Sequence, residues 1–395
     1  MINRKFICKV KFSFLITIFS LFVFTACGGC GSNPQEKKKG KSGKSVGSKP
    51  TNNLSNVKKV VVLFHGLKCP DDSGIADLKS KLGTNLKNAE IIILKRNNSD
   101  IDPTTQQAEE AYIKLKEDLE KKNLIGNPTC LIGDSHGGLV ALELYRQHKN
   151  DLNIVGIITN HSPLEGAPGV NVTDNDVATF KQTVKVLLES ILLLPPVLTQ
   201  GLNLKASELS ELCKKVDSLQ LKEILTDGIQ QPVVNDLTKN STLLNNVAKT
   251  LSSIQIPVLV LAGYADILTN ITALLGFASQ DKTAGQDLAT LRNQLVILKN
   301  LVIGMKNRLV GSDPNLQLLE NGLKLLEEAF GKLIGDKKND SFIPFYSQCA
   351  EHVQASATVQ RWSFENYHHF YGMTTDQVIY DKIVNFINKV SGPKK

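Results

Sequence analysis

The sequence predicts an α/β protein whose central sheet is mostly parallel. Apolar, β-branched runs are typical of strands buried on both faces, and amphipathic stretches of helix length separate them. The chain has 395 residues, of which 42% are hydrophobic and 21% are charged, which suits a large globular domain. Strands that alternate with helices pair in parallel, because each helix returns the chain to the edge from which the next strand starts.

The first half of the chain shows this alternation most clearly. Strand-like runs are "VKKVVVLFHG", "AEIIILKRN", "PTCLIGDS" and "NIVGIITNHS". The helix-like segments between them are "SGIADLKSKLGTNLKN", "TTQQAEEAYIKLKEDLEKKN" and "GGLVALELYRQHK". We therefore expect helices on both faces of the sheet.

The alternation is interrupted twice after Pro168. Residues from about 169 to 254 are helix-like and rich in leucine, and the strand-like run "IQIPVLVLAG" follows them. A second helix-like stretch covers about 269–338, and the segment "TTDQVIYDKIVNFINKV" predicts a closing helix. We predict one sheet domain over residues 57–395 with two helical insertions. The first is expected to form a cap or lid, and the alternative is that it packs over the sheet as an extra core layer.

Residues 1–26 have the features of a lipoprotein signal peptide. A basic start precedes the apolar run from Phe12 to Phe24, which is too short to span a bilayer. Small residues then precede Cys27, which we predict to become the lipidated N-terminus of a membrane-anchored bacterial lipoprotein on the extracytoplasmic side. Phe24 stands where such sites usually carry leucine, and an ordinary secretory signal or an uncleaved anchor is the alternative. Gly28 after the cysteine is not the aspartate that commonly retains lipoproteins in an inner membrane, so we expect the outer membrane, in a cell that has two membranes, or the cell surface.

The next segment, residues 27–56, is predicted to be a flexible basic tether. It consists mainly of Gly, Ser, Lys, Asn and Pro and has little to bury. The formal net charge of +8 is carried by this segment and the first eleven residues. Because the remainder is close to neutral, we do not expect nucleic-acid binding. Apart from Cys8 and Cys27, the cysteines show no metal-ligand spacing or disulfide framework.

The stretch "LIGDSHGGL" carries the most specific signal for function. It contains G-x-S-x-G, with Ser135 between Gly133 and Gly137, after a predicted buried strand and before a predicted helix. Such a serine projects from a tight strand-to-helix turn, where flanking side chains would collide with the strand and helix. The positive end of the helix would stabilise negative charge that develops near the serine.

Several motifs together resemble the α/β-hydrolases, and among them the bacterial lipases and esterases. "LFHGL" resembles the oxyanion loop of that family, and "LIGDSHGGL" resembles its nucleophile elbow. "ITNHSPLEGAP" and "VVNDLTKNSTLLNNV" resemble later segments more loosely. The residue before the nucleophile is commonly histidine in the family and is Asp134 here. The resemblance, which covers roughly residues 57–390, implies an α/β-hydrolase fold and a serine hydrolase that uses a Ser-His-Asp triad.

A serine nucleophile needs a histidine as base and a carboxylate that orients the histidine. In the family the histidine follows the last strand, where this chain offers His368 and His369. The family tends to place an apolar residue directly after the catalytic histidine, so Phe370 favours His369. For the acid, Asp340 in "DSFIPFYS" resembles the family's pattern, whereas Asp266 follows the strand "IPVLVLAG" as "YAD", the position that an uninterrupted family member would use. We favour Asp340 and keep Asp266 as the alternative. His65 is expected to brace its loop, and no role is assigned to His161.

The resemblance implies that the backbone N–H groups of Leu67 and His136 form the oxyanion hole. No metal or organic cofactor is expected for this chemistry. The apolar first insertion favours a hydrophobic acyl ester as substrate, so the expected activity is that of a lipase or esterase. A thioester or amide substrate would use the same residues. The alternative is a non-catalytic surface lipoprotein that uses the same fold to bind lipid or a partner.

Overall fold

The computed structural model describes residues 58–67, 73–96, 98–194, 231–278, 313–369 and 373–391, together with short stretches between 210 and 229 and between 292 and 304. All of them belong to one compact unit, Leu54–Lys395. The predicted signal peptide, Cys27 and the tether lie outside the described residues.

Six parallel strands form a single sheet in the order β2-β1-β3-β4-β5-β6. The strands are β1 (Lys59–Phe64), β2 (Ala89–Leu94), β3 (Thr129–Asp134), β4 (Ile154–Asn160), β5 (Val258–Tyr264) and β6 (Val359–Glu365). The strands β1 to β5 are the five apolar runs predicted from the sequence. The strand β6, with the sequence VQRWSFE, lies at one edge and is largely exposed, which explains why it lacks the apolar signature of the others.

Eleven α-helices are bounded within the described part of the chain. They are α1 (Ser73–Asn85), α2 (Thr104–Lys121), α3 (His136–His148), α4 (Asp174–Leu192), α5 (Leu221–Thr226), α6 (Gln231–Leu237), α7 (Thr242–Ser253), α8 (Ile267–Ala278), α9 (Pro314–Ile334), α10 (Phe345–Cys349) and α11 (Gln377–Val390). The helices α1, α2, α3 and α11 confirm the predicted helical segments around the sheet.

Alternate residues of each strand enter different hydrophobic cores on the two faces of the sheet. In β1, Val60 and Val62 pack in the core that includes α2, α3 and α7, whereas Val61 and Leu63 pack in the core beneath α1 and α11. This is the period of two that an extended strand requires, and it explains why nearly every β1 residue is apolar. The structure confirms the α/β architecture with helices on both faces.

The carboxyl ends of β1 and β3 meet at the point where the strand order reverses. The chain leaves β1 to form β2 on one side and later forms β3 on the other side. Loops after such adjacent strands diverge to opposite faces and leave a crevice, which is where open α/β sheets bind ligands. The motifs after β1 and β3 are therefore placed where chemistry is expected.

The two helical stretches between the later strands pack against each other in a separate hydrophobic core. The helix α4 of the first stretch packs along α9 of the second, and Leu187 and Phe330 are buried in their shared core. The range expected to form a cap, residues from about 169 to 254, divides into two parts. The helix α4 belongs to this separate core. The helices α6 and α7 belong to the main core, where α7 packs against α3 and carries the chain from β4 to β5.

Candidate active site

Ser135 lies on the turn between β3 and α3 in a backbone conformation that side chains rarely adopt. Its φ is 51° and its ψ is −126°, and its backbone N donates to Asn160 O at 2.7 Å. A Cβ on Gly133 would lie 2.3 Å from Gly137 O, and a Cβ on Gly137 would lie 2.5 Å from Phe64 O. The strained serine between two indispensable glycines is the turn that the sequence predicts.

His369 reaches this serine from the loop after β6. Its Nε2 lies 3.0 Å from Ser135 Oγ, across 234 residues of sequence. Its backbone N donates to Asp340 O at 2.6 Å, so both main chain and side chain tie it to the same loop. The structure thus brings His369 to the serine.

Asp340 is fully buried, and both oxygens of its carboxylate accept hydrogen bonds from nitrogen donors. Its Oδ2 accepts from His369 Nδ1 at 2.9 Å and from His161 Nδ1 at 2.7 Å. Its Oδ1 accepts from the backbone N–H groups of Phe342 at 3.1 Å and Ile343 at 2.8 Å. With Nδ1–H committed to Asp340, the neutral His369 ring presents Nε2 as an acceptor for the Ser135 hydroxyl.

These contacts shift the pKa values of Asp340 and His369. Burial raises the pKa of the Asp340 carboxyl, but the charge of His369 and the hydrogen bonds from His161 and His369 lower it by more, so it stays well below its usual range. Burial lowers the pKa of His369, but the charge and hydrogen bond of Asp340 and the charge of Asp134 outweigh this, so it lies above the ordinary value. The arrangement favours an aspartate that stays ionised and an imidazole that readily takes up a proton.

The structure describes no hydrogen bond from Ser135 to the other acid or to the other histidine that the sequence offers. Asp266 is exposed and precedes α8, where its carboxylate accepts from Thr269 N at 3.0 Å and from Lys299 Nζ at 3.1 Å. It therefore serves the start of a helix. His368 is half-buried beside His369, and burial followed by the nearby charges of His161 and His369 lowers its pKa.

Asp340 reaches the end of β5 although a long helical insertion separates the two in sequence. Ala265 N donates to Asn339 O at 3.1 Å, so the chain leaves the sheet and returns to it at the same place. The buried Asn270 joins both sides, because its Nδ2 donates to Ala265 O and to Asn339 O at 3.0 Å each. The Asp340 segment therefore occupies the position directly after β5.

The two proposed oxyanion donors belong to segments that border Ser135. His136 is the first residue of α3, and Leu67 follows Gly66 in the loop after β1. A Cβ on Gly66 would lie 3.1 Å from Ser135 Cβ, so this loop runs directly beside the serine. His65 braces the loop as expected, because its Nδ1 donates to Gly66 O at 2.7 Å.

The sequence reasoning missed His161, which directly follows β4. It is fully buried in a left-handed conformation (φ 48°), and its Nδ1 bonds to Asp340 Oδ2 and lies 3.1 Å from Gln348 Oε1. Its ring stacks on Tyr367, with centroids 4.3 Å apart. A Cβ on Gly263 would lie 2.8 Å from His161 Cε1. The only sequence signal was its position at the carboxyl end of a central strand.

Within the described ranges, His161, Asp340 and His369 form one group whose ligand atoms lie within 4.8 Å of one another. Such a set is chemically able to bind a transition metal. The two Nδ1 atoms already donate protons to the Asp340 carboxylate, so a metal ion there would have to replace both hydrogen bonds. As the side chains stand, one carboxylate accepts hydrogen bonds from two imidazoles.

In the part of the chain that the structure describes, no helix combines the length and apolar character needed to cross a membrane. The proposed lipid-bearing Cys27 falls outside that part.

One protein-family model matches part of the chain. Residues 101–293, which include Ser135 but end before Asp340 and His369, match the family model described as serine aminopeptidase, S33. No curated protein matches the chain.

Three solved structures illustrate how distant the structural likeness is. Phospholipase PlaB from Legionella pneumophila is 12% identical with a TM-score of 0.33, over 52% of this chain and 38% of that chain. Lipase BlEst2 from Bacillus licheniformis is 14% identical with a TM-score of 0.38, over 86% of this chain and 96% of that chain. The monoacylglycerol lipase from Paleococcus ferrophilus is 15% identical with a TM-score of 0.37, over 84% and 94%. The chain thus spans about two fifths of PlaB.

The sheet topology and the family match together identify the fold. The strands are parallel in the order described, helices cover both faces, and the strained serine follows the third strand. Together with the match over residues 101–293, these features show that the chain has the α/β-hydrolase fold.

Proposed function

We propose that this protein is a serine hydrolase that cleaves carboxylic esters through an acyl-enzyme intermediate. The observation that carries the proposal is the continuous hydrogen-bonded series from Ser135 Oγ through His369 to the buried Asp340 carboxylate. Fold alone would not support an activity, because α/β-hydrolase folds also serve other roles. A strained serine hydroxyl bonded to an oriented imidazole is the arrangement that nucleophilic catalysis needs.

In the proposed first half-reaction, Ser135 Oγ attacks the carbonyl carbon of the ester while its proton passes to His369 Nε2. The carbonyl oxygen becomes an oxyanion, which accepts hydrogen bonds from Leu67 N–H and His136 N–H. Asp340 holds the ring and stabilises the imidazolium. When the tetrahedral intermediate collapses, His369 donates the proton to the leaving oxygen, and the alcohol departs. Ser135 then carries the acyl group.

In the second half-reaction, water repeats the attack on the acyl-enzyme. His369 Nε2 accepts a proton from the water, whose oxygen bonds to the acyl carbon. Collapse of the second tetrahedral intermediate breaks the bond to Ser135 Oγ, which recovers its proton from His369. The carboxylic acid is released, and every group returns to its starting state.

A hydrophobic acyl group is the proposed substrate feature. Phe342 packs against the apolar core that α4, α8 and α9 share, and it connects this core to the reacting groups. The Phe342 ring centroid lies 5.4 Å from that of His369. An acyl chain bound along this side would contact apolar groups next to the imidazole, which favours lipid esters over small polar esters.

Turnover of p-nitrophenyl esters with short and long acyl chains tests the activity. We expect hydrolysis by the purified protein, covalent labelling by a fluorophosphonate, and loss of both in Ser135→Ala. His369→Ala and Asp340→Asn should lower kcat by about 10⁴-fold. The control variants His368→Ala and Asp266→Asn, at the alternative candidates, should retain most of the wild-type kcat. Ester hydrolysis and labelling no greater than in Ser135→Ala would instead favour a non-catalytic lipid-binding or partner-binding lipoprotein.

We also propose that Cys27 carries lipid and anchors the protein at the extracytoplasmic side of a bacterial membrane. The short apolar run before small residues and a cysteine supports this proposal. Expression of the full chain with a radiolabelled fatty acid tests it. Label should enter the wild-type protein and be absent from Cys27→Ser, whereas label in both proteins or in neither would contradict the proposal.

A further inference from the structure

The buried side chain of Arg96 contacts both segments that we propose to form the oxyanion hole. Arg96 follows β2 and is 8% exposed. Its Nη2 donates to His65 O and, at 3.3 Å, to Gly66 O, both in the loop after β1. Its Nη1 donates to His136 Nδ1 at 3.1 Å and to Gln107 Oε1 at 2.5 Å. One guanidinium thus joins the β1 loop to the first residue of α3.

The ring of His65 strengthens the same connection. Arg96 N donates to His65 Nε2 at 3.3 Å, so this ring nitrogen acts as an acceptor. In a neutral imidazole the proton then resides on Nδ1, which donates to Gly66 O at 2.7 Å. The Gly66 carbonyl is therefore held from two directions, by the His65 ring and by the Arg96 guanidinium.

Holding this carbonyl also determines where the next N–H group points. Gly66 C=O and Leu67 N–H belong to one planar trans peptide, in which the two bonds point in opposite directions. Because the oxygen faces Arg96 and His65, the Leu67 N–H points away from them, in a peptide that lies beside Ser135. A flipped peptide would lose both hydrogen bonds and would exchange the donor for a carbonyl oxygen.

The second donor residue is anchored through its side chain. His136 accepts from Arg96 at Nδ1, so its proton resides on Nε2, which donates to Thr104 Oγ1 at 2.9 Å. Burial, followed by the charges of Arg96 and His65, holds the pKa of His136 well below its ordinary value, consistent with a neutral ring. Both ring nitrogens are occupied, and the ring orientation at the start of α3 is defined.

We propose that Arg96 is a positioning residue that keeps the two backbone donors of the oxyanion hole in their working orientation before substrate binds. The inference rests on the proposed hydrolase function. Arginine suits this role because its planar fork donates several hydrogen bonds in fixed directions, which a lysine ammonium cannot reproduce. A preformed donor pair stabilises the transition state without reorganisation during the reaction.

The test compares Arg96→Met and Arg96→Lys with Arg361→Met and Arg361→Lys. Arg361 is a matched control, because its Nε and Nη2 also donate to backbone carbonyls, Cys349 O at 2.6 Å and Ala350 O at 3.0 Å, at the other edge of the sheet. For each protein, kcat and KM are measured with a p-nitrophenyl ester. The affinity for a trifluoromethyl ketone with the same chain length as the ester's acyl group is also measured. It is compared with the affinity for the corresponding alcohol, which forms no oxyanion.

We expect Arg96→Met to lower kcat by on the order of 100-fold with KM changed by less than about threefold. The ketone affinity should fall by a similar factor and the alcohol affinity should not, since only the ketone forms an oxyanion on Ser135. Arg96→Lys should recover part of the loss, and both Arg361 variants should resemble the wild type. If Arg96→Met does not fold, the same comparison with Arg96→Lys decides, with at least a tenfold loss of kcat at unchanged KM expected.

Two outcomes overturn the inference and are distinguishable. If the wild type shows Ser135-dependent turnover and the folded Arg96 variants keep wild-type kcat, or lose affinity for the ketone and alcohol equally, the positioning role of Arg96 is wrong while the hydrolase function stands. If the wild type shows no Ser135-dependent turnover, the proposed function fails and the inference fails with it.

Discussion

Asp134, directly before the proposed nucleophile, bears on the pH dependence of the site. Its negative charge is one of the influences that raise the pKa of His369, after burial, which lowers it, and Asp340, which raises it. Its Oδ1 accepts from Asn160 Nδ2 at 2.7 Å. An asparagine at this position keeps an acceptor for that bond and removes only the charge.

We predict that Asp134→Asn shifts the acidic limb of kcat/KM to lower pH. His369 must be unprotonated to accept the Ser135 proton, so activity falls as the pH drops through its pKa. Removing a charge that raises this pKa lowers it, and the variant should stay active in more acidic solution. Asp151→Asn, at an exposed carboxylate, serves as the control and should leave the profile unchanged. An unmoved limb, or one that moves to higher pH, would contradict the prediction.

His161 is the residue whose role in the site only the structure reveals. It gives Asp340 a second side-chain hydrogen bond that does not involve His369. The carboxylate keeps its orientation and charge partly through this contact, because a buried anion needs its lone pairs satisfied.

We predict that His161→Ala lowers kcat/KM by about 10- to 100-fold, the equivalent of one hydrogen bond to a buried charge. His161→Asn should retain more activity, because its Nδ2 occupies nearly the place of the His161 Nδ1 and asparagine tolerates the left-handed backbone. Steady-state kinetics of the two variants provide the measurement. Equal activity in His161→Ala and the wild type would show that Asp340 does not depend on this bond.

At the scale of secondary-structure elements, the joint between β3 and α3 leaves no space for side chains on its glycines. The Cβ of an alanine at position 133 would approach Gly138 N to 2.4 Å, and that atom is main chain that cannot rotate away. Relief would require the strand or the helix to move.

We therefore predict that Gly133→Ala destabilises the protein by about 3 kcal/mol or more and abolishes Ser135-dependent turnover. Gly83→Ala in α1 is the matched control, since its nearest neighbour would be Ile91 Cδ1 at 3.9 Å. The control should stabilise the helix by about 0.5–1 kcal/mol. Urea unfolding monitored by circular dichroism measures both. A Gly133→Ala protein as stable as the wild type would refute the packing argument.

Element prediction from sequence succeeded where strands are buried and failed where they are not. The strands β1 to β5 are recognisable because both of their faces are covered, which imposes apolar residues at consecutive positions. The edge strand β6 carries charged and aromatic residues that equally suit a loop. Its existence follows from pairing with β5 over seven residues, a contact that a single strand does not encode.

At the scale of the whole molecule, the second helical insertion begins and ends within one hydrogen-bonded junction. Asn270, at 1% exposure, donates to Ala265 O and Asn339 O, and its Oδ1 accepts from Ser341 Oγ at 3.0 Å. Asp340 lies between two residues of this junction, so its position depends on how the insertion closes.

We predict that Asn270→Ala lowers the free energy of unfolding by about 1–3 kcal/mol, because buried carbonyls lose their donor. It should also reduce kcat/KM, since Asp340 is less firmly placed. Asn245→Ala is the control: that residue is exposed, its Nδ2 bonds only to Asn240 O at 3.2 Å among the contacts described, and its replacement should change stability by less than about 0.5 kcal/mol. Denaturant unfolding and ester hydrolysis measure the two effects. If Asn270→Ala is destabilised but keeps wild-type activity, the placement of Asp340 does not depend on this junction.

The sequence by itself determined the α/β class, the strained turn at Ser135 and a small set of candidate partners. It could do so because buried strands, G-x-S-x-G and its flanking elements are local patterns in which neighbouring residues constrain one another. The tertiary structure alone placed Asp340 and His369 at Ser135, His161 at Asp340, and Arg96 against the segments that border Ser135. These are contacts between segments up to 234 residues apart. Only the sheet order and the closure of the insertions decide which residues meet.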